Sequence, residues 1–268
     1  MTQRRWTAAD AAARIVVPRA EDDKYSRGVL GLAAGSARYP GAAVLATEAA
    51  LRTGVGMVRM LAPAAVSSLV LQRRPEAVVG DGRAQAWVAG PGMDAGDDEA
   101  LARVAAAIAA GTPIVLDAAA AAMAGAAAGR AIVTPHAGEL AGILGVAREQ
   151  VRAEPDGAAA EAAGRLGAIV LLKGATTRIV GGRDTILVEE APPWLATAGA
   201  GDALAGILGA LLATAAARGP LAPDDLAAIA ATAAFVHGRA AEAASAGGPL
   251  TVLGLCGAVP GVIRSLLA

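Results

Sequence analysis

The sequence predicts an α/β fold: a mostly parallel sheet with helices on both faces and an antiparallel edge. Three observations carry that expectation. Short aliphatic runs alternate with alanine-rich helical stretches, the spacing of βαβ units. The chain has 268 residues, 55% of them hydrophobic and 18% charged, enough apolar material for one large core. A single hairpin signal, TRIVGGRDTILVEE around Gly181-Gly182, comes late in the chain.

GVLGLAAG (28–35) reads as a buried strand running into a glycine turn. Residues 40–54 follow as a helix, with Pro40 at its start and Gly54 at its end. VGMVRML is a second strand, and AWVAGPG completes a third at Gly90-Pro91-Gly92. Residues 97–110 form a helix before PIVLD (113–117), a fourth strand that ends in an acid. The low-complexity stretch 119–129 is a loose helix. AIVTPHAGE is a fifth strand broken at Pro135, with Glu139 in the first turn of the next helix. Another helix closes over 161–166, and AIVLLKG (168–174) is the sixth strand. Beyond the hairpin and TAGAGD the chain is helical over 202–217, 223–246 and a turn-rich segment to Ala268. No repeat, linker or charge run divides it, so one domain over 1–268 is expected.

Composition excludes several classes. Lys and Arg number 23 against 24 Asp and Glu, a net charge of -1 that offers no general attraction for nucleic acid or acidic lipid. Cys256 is the only cysteine, so an intrachain disulfide and a cysteine zinc site are both out of reach. Mean hydropathy is +0.51, yet the longest apolar run, Ala203 to Ala217, is about 15 residues where a membrane span needs roughly 20. The N-terminus has no continuous apolar segment before Asp10 and Arg14, against a signal peptide. A cytoplasmic protein is the expectation.

In parallel sheets, ligands bind beyond the carboxyl ends of the strands. Here those ends carry GPG, Asp117, TPHAGE and LLKG. TAGAGDALAGILGALLA (197–213) sets a small-residue loop before a helix, delivering free N–H groups that suit a phosphate. Asp202 in its first turn reads either as a proton acceptor or as an ordinary helix cap. Only two of the 23 basic residues are lysine, Lys24 and Lys173. Lys173, before Gly174, Ala175, Thr176 and Thr177, could hold a phosphate while the threonines bind a nucleotide. His136 lies at the ligand-facing edge, whereas His237, mid-helix among alanines, reads as a packed or capping histidine. Neither the G-x-G-x-x-G fingerprint nor a P-loop occurs.

Taken in order, KYSRGVLGLAAGSARYPGAAVLATEAALRTGVGMV, GPGMD, PIVLDA, IVTPHAGELAGILG, VLLKGATT and TAGAGDALAGILGALLA resemble one family. They are similar to the ADP/ATP-dependent NAD(P)H-hydrate dehydratases of the ribokinase-like superfamily, from about Lys24 to Ala240. The resemblance implies a ribokinase-like three-layer α/β/α sandwich and repair of hydrated, damaged cofactors. (6S)-NADHX or NADPHX would be dehydrated to NADH or NADPH, with ADP or ATP as co-substrate and magnesium. It would place the hydrated dinucleotide against Ala42, Gly92, His136 and Asp202, with Asp202 catalytic. It would place the nucleotide against Lys173, Gly174, Ala175, Thr176, Thr177, Gly199, Ala200 and Gly201, with metal ligands unassigned. A homo-oligomer is expected, beside a separate NAD(P)HX epimerase, and neither nucleic acid nor membrane is a partner. Three positions depart from the family pattern. Ala118 and Ala119 follow Asp117 where a second acid is usual, Ala137 replaces a proline, and Ala198-Gly199-Ala200-Gly201 lacks a hydroxyl. Two other readings remain. A small-molecule kinase of the same superfamily would use the same loop and aspartate, although TPHAGE and PGAAVLA speak against it. A nucleotide-binding homologue without catalysis would fit the alanine substitutions.

Overall fold

The computed structural model describes residues 2–94 and 96–268. The chain opens with β1 (Gln3–Arg5) and α1 (Ala8–Ala12), then β2 (Val29–Ala33), α2 (Pro40–Thr53) and β3 (Met57–Leu61). Next come α3 (Ala64–Arg73), β4 (Val78–Val79), β5 (Ala86–Ala89), α4 (Asp98–Ala109) and β6 (Ile114–Leu116). A tight 3-10 helix over Ala118–Ala127 leads to β7 (Ala131–Val133), α5 (Ala137–Leu144), α6 (Arg148–Ala153) and α7 (Pro155–Leu166). The hairpin region holds β8 (Ile169–Leu172), β9 (Thr177–Val180) and β10 (Thr185–Val188), followed by a 3-10 turn at Pro193–Leu195. Three long helices close the chain: α8 (Ala200–Ala216), α9 (Pro223–Ser245) and α10 (Val252–Leu267).

The strands form one sheet in the order β1-β10-β9-β8-β7-β6-β5-β2-β3-β4. Only β9 runs against its neighbours, since it pairs antiparallel with both β8 and β10 while every other pairing is parallel. The expected hairpin is therefore present, with β1 added outside it. Strand residues alternate between two cores. Leu30, Leu32 and Val88 face α2, α8, α9 and α10, whereas Val29, Ala33 and Trp87 face α4, α5 and α7. This is the three-layer sandwich that the sequence predicts.

Alanine and glycine set the spacing of the layers. A Cβ at Gly206 of α8 would lie 2.2 Å from the Ala46 carbonyl oxygen of α2, and one at Gly209 would lie 2.3 Å from Val88. Helix α8 thus lies with its backbone against that of α2 and against the Val88 and Leu30 side chains of the sheet. At the far end of α2, the fully buried Glu48 carboxylate is clasped by Arg74 and also meets Arg52 (3.0 Å) and Arg73 (3.3 Å). That group joins α2 to α3 and satisfies a charge that would otherwise be costly to bury.

Several elements carry little sequence signal. All three β1 residues, QRR, are exposed, so no alternation announces a strand. Pro63 stands at the N-cap of α3, which buries only Val66, Ser67 and Val70, a stripe too thin to be legible in sequence. Residues 119–129, read as a loose helix, form the tighter 3-10 kind, with Ala118 and Ala128 at positive φ.

The close approach is testable by sign. Gly206→Ala should destabilise the protein by about 1–3 kcal/mol, because the added methyl meets backbone. Gly142→Ala, where nothing lies within 4 Å, should instead stabilise by about 0.5–1 kcal/mol through helix propensity. Urea unfolding midpoints read both.

Candidate functional site

A cleft of about 960 Å³ opens where the carboxyl ends of β7 and β8 meet the N-terminus of α8. It gathers His136, Lys173 and the β8–β9 turn Gly174, Ala175, Thr176 and Thr177 on one side. Ala200 and Gly201 of α8 line the other, together with His237 of α9. The remaining predicted positions are placed differently. Ala42 and Gly92 meet each other at the next strand ends, where a Cβ on Gly92 (φ +63°) would stand 2.4 Å from that of Ala42. Gly90 continues the band, since a Cβ there would reach the Asp117 carbonyl at 2.0 Å.

Lys173 is held by three consecutive strand ends. Its backbone N–H donates to the Pro135 carbonyl (2.8 Å), which pairs it with His136 beyond the regular ladder. Its Nζ lies 3.2 Å from Asp117 Oδ1, which also accepts from Thr134 Oγ1 at 2.6 Å. Glu139 Oε2 stands 3.7 Å from the same ammonium. The other lysine has no such setting: Lys24 lies over the exposed ring of Tyr25. Rarity alone therefore singles out one functional candidate and one surface residue.

His136 caps α5. Its Nδ1 accepts from the N–H groups of Gly138 and Glu139, both at 3.0 Å, while Glu139 Oε2 accepts from the His136 N–H. With Nδ1 occupied as an acceptor, a neutral ring carries its proton on Nε2 and offers a donor to the cleft. Ala137, where the family pattern has proline, is the first helical residue, a position that either residue suits.

The turn before α8 answers the question of what Asp202 does locally. Gly199 is the capping residue, in the left-handed region at φ 90°, and no side chain caps the helix. A Cβ on Gly199 would come within 2.5 Å of Leu45, so this glycine serves the turn and stays off the cleft wall. The Ala200 N–H turns back to the Thr197 carbonyl (3.3 Å), leaving those of Gly201 and Asp202 as the free donors. Of the two readings of Asp202, the helix cap is thus excluded. Its carboxyl is pushed up to about 6, first by burial, then by the charge of Asp117, with Lys173 acting in opposition. Lys173 Nζ would sit 3.4 Å from a Cβ on Gly201, one residue away.

His237 is packed, as its surroundings in the sequence suggest, but it also lines the cleft. Burial lowers its pKa to about 4, partly offset by a backbone hydrogen bond with Ala200. Sequence reasoning misses Arg148, Arg152 and Arg178 on the cleft wall, because isolated arginines on short segments form no motif. It also misses Glu139 as a neighbour of Lys173, a pairing made only when β7 and β8 lie side by side. Among the described residues there is no cluster of three metal-ligating side chains.

The family model for NAD(P)H-hydrate dehydratase matches residues 30–253. The bifunctional NAD(P)H-hydrate repair enzyme of Mycobacterium tuberculosis is 43% identical over 223 residues, covering 78% of this chain and 46% of its own. The chain thus spans about half the length of such curated relatives. An ADP-dependent (S)-NAD(P)H-hydrate dehydratase of Xanthomonas campestris is 35% identical, covering 72% of this chain and 74% of its own. The ADP/ATP-dependent NAD(P)H-hydrate dehydratase of Bacillus subtilis, co-crystallized with ATP/Mg2+, is similar throughout. It has a TM-score of 0.83 and 27% identity, covering 97% of this chain and 98% of that chain.

The raised Asp202 carboxyl predicts a pH-dependent stability. The folded protein holds this proton up to about pH 6, the unfolded chain only to about 3.8. Ionised Asp202 is therefore unfavourable in the fold, and stability falls as pH rises through that window. Asp202→Asn should be more stable than wild type above pH 6, on the order of 1–3 kcal/mol. The difference should vanish below about pH 4, as read by thermal melts across pH.

Proposed function

The chain belongs to the NAD(P)H-hydrate dehydratase family, and from that premise we propose that it restores hydrated NADH or NADPH at the expense of an adenine nucleotide. One observation carries the reading. An uncapped helix N-terminus presents free N–H groups between Asp202, a carboxyl poised near neutrality, and Lys173. This combination suits transfer of a phosphoryl group to a hydroxyl.

In this reading the nucleotide lies against Lys173, Gly174–Thr177, Ala200 and Gly201, and the hydrated ring faces Ala42, Gly92, His136 and Asp202. Asp202 takes the proton of the ring hydroxyl as that oxygen attacks the terminal phosphoryl group. Lys173 and the Gly201 and Asp202 N–H groups hold the charge that develops on the phosphoryl oxygens. The phosphorylated oxygen then leaves as phosphate, expelled by the electron pair of the ring nitrogen, and the adjacent ring carbon gives up a proton to complete the double bond, so one phosphoanhydride is consumed per ring restored. His136 Nε2–H is free to orient a substrate oxygen.

The carboxylates fit magnesium. Asp202 and Asp117 repel each other with one lysine between them, a surplus of negative charge that a divalent ion would relieve. Asp117 uses Oδ1 for both of its contacts, so its other oxygen is the donor that would hold the ion. Magnesium bound with the nucleotide would neutralise phosphate charge.

Incubation with hydrated NADH, magnesium and ADP or ATP should restore the absorbance of the reduced ring. Failure with both nucleotides overturns the reading, and a stable phosphate ester of another alcohol would favour a kinase. Asp202→Asn should cut turnover by roughly 10²–10⁴-fold while nucleotide still binds. The kcat/KM of the wild type should rise with pH through about 6 and then level off, as expected for a base that must be ionised. Lys173→Ala should weaken nucleotide binding by about 1.5–3 kcal/mol, measured by calorimetry.

A further inference from the structure

The cleft is one-sided in charge. Arg148, Arg152, Lys173 and Arg178 line it, and among the described residues no aspartate or glutamate does. Two of these cations are already engaged: Lys173 with Asp117 and Glu139, and Arg178 with Asp156 at 2.9 Å. Arg148 and Arg152 are exposed and form no ion pair among the described residues.

Arg152, in the last turn of α6, suits the helix dipole, but its pairing with Arg148 is not favoured by local helix energetics. The two arginines are four residues apart on α6, so their charges share one face and repel. Arg148 is also the first helical residue, where a cation opposes the helix dipole. Between them Val151, 1% exposed, seats the helix in the core against α5 and α7. The result is two free guanidinium groups on a fixed footing at the wall of the cleft.

We propose that Arg148 and Arg152 form a second phosphate clamp, separate from Lys173 and the α8 N-terminus, that grips phosphate ester oxygens of a bound nucleotide. A guanidinium presents paired donors in the geometry of a phosphate, which a single lysine cannot. The inference rests on the dehydratase reading for the identity of the ligands, and two of them carry this chemistry. One source is the phosphate chain of ADP or ATP; the other is the hydrated dinucleotide, through the diphosphate bridge that both forms share or through the 2′-phosphate of the NADPH form alone.

Calorimetry with inorganic pyrophosphate, ADP, NADPH and NADH tests the clamp, comparing wild type with the double variant Arg148→Gln/Arg152→Gln. The variant should lose about tenfold or more in affinity for pyrophosphate, with a shallower salt dependence. An equal loss for ADP assigns the clamp to the co-substrate, a loss for NADPH but not NADH assigns it to the 2′-phosphate, and an equal loss for both dinucleotides assigns it to their diphosphate bridge. Its melting temperature should stay close to that of wild type, since both side chains are exposed and make no ion pair among the described residues. Unchanged affinity for all four ligands overturns the clamp, as does a wild type that binds none of them. If wild type binds pyrophosphate, the variant loses it, and neither binds ADP or NADPH, the two arginines form an anion site, but its assignment to a nucleotide and the dehydratase reading both fall.

Discussion

The closeness of α8 to its neighbours is the constraint on which the rest of the molecule depends. Its Gly206 meets the backbone of α2, and its Gly209 rests on Val88 and Leu30 of the sheet. Larger side chains at either point would lift the helix away and tilt its first turn out of register with the strand ends. Because it lies flat, the free N–H groups of Gly201 and Asp202 arrive beside Lys173 at the end of β8. A helix end binds an anion only if it points at one, and here packing does the aiming.

Electrostatics at that meeting point are deliberately unbalanced. Lys173 is set among Asp117, Glu139 and Asp202. Asp117 is buried and held by Thr134, and the residue behind it, Ala118, takes a left-handed φ of 48°. Backbone strain of this kind is tolerated where surrounding contacts over-determine it. The charge of Asp117, added to burial, keeps the Asp202 proton near neutrality, where a carboxyl can exchange it.

Much of the architecture was legible because the strands are short aliphatic runs with helix starts and stops between them. Pro40 and Gly54 bracket α2 as their chemistry dictates, and the Gly181-Gly182 turn joins β9 and β10. The site was legible in part. Lys173, His136 and the turns at 174–177 and 199–201 stood out as departures from the surrounding alanine and arginine. What escaped was whatever depends on lateral pairing. Glu139 gains Lys173 only across β7 and β8, and Arg148 and Arg152 face a cleft whose other walls are distant in sequence. Strand β1 escaped for the opposite reason, since three exposed polar residues join a sheet through backbone alone.

The small-residue seam between α2, α8 and the sheet also bears on how this chain can vary over generations. At a leucine or isoleucine, most replacements are shrinkages, which leave a void that neighbours can partly fill. At Ala46, Gly206 or Gly209, nearly every single-base change is an enlargement, and the obstacle it meets at Gly206 is main chain that no rotamer change can clear. Relief must then come from a matching reduction on the facing element, and alanine can shrink only to glycine. Such a seam is narrow in the sequences it accepts and should drift slowly, in compensated pairs. The leucine-rich side of the same helix is free to exchange one aliphatic residue for another.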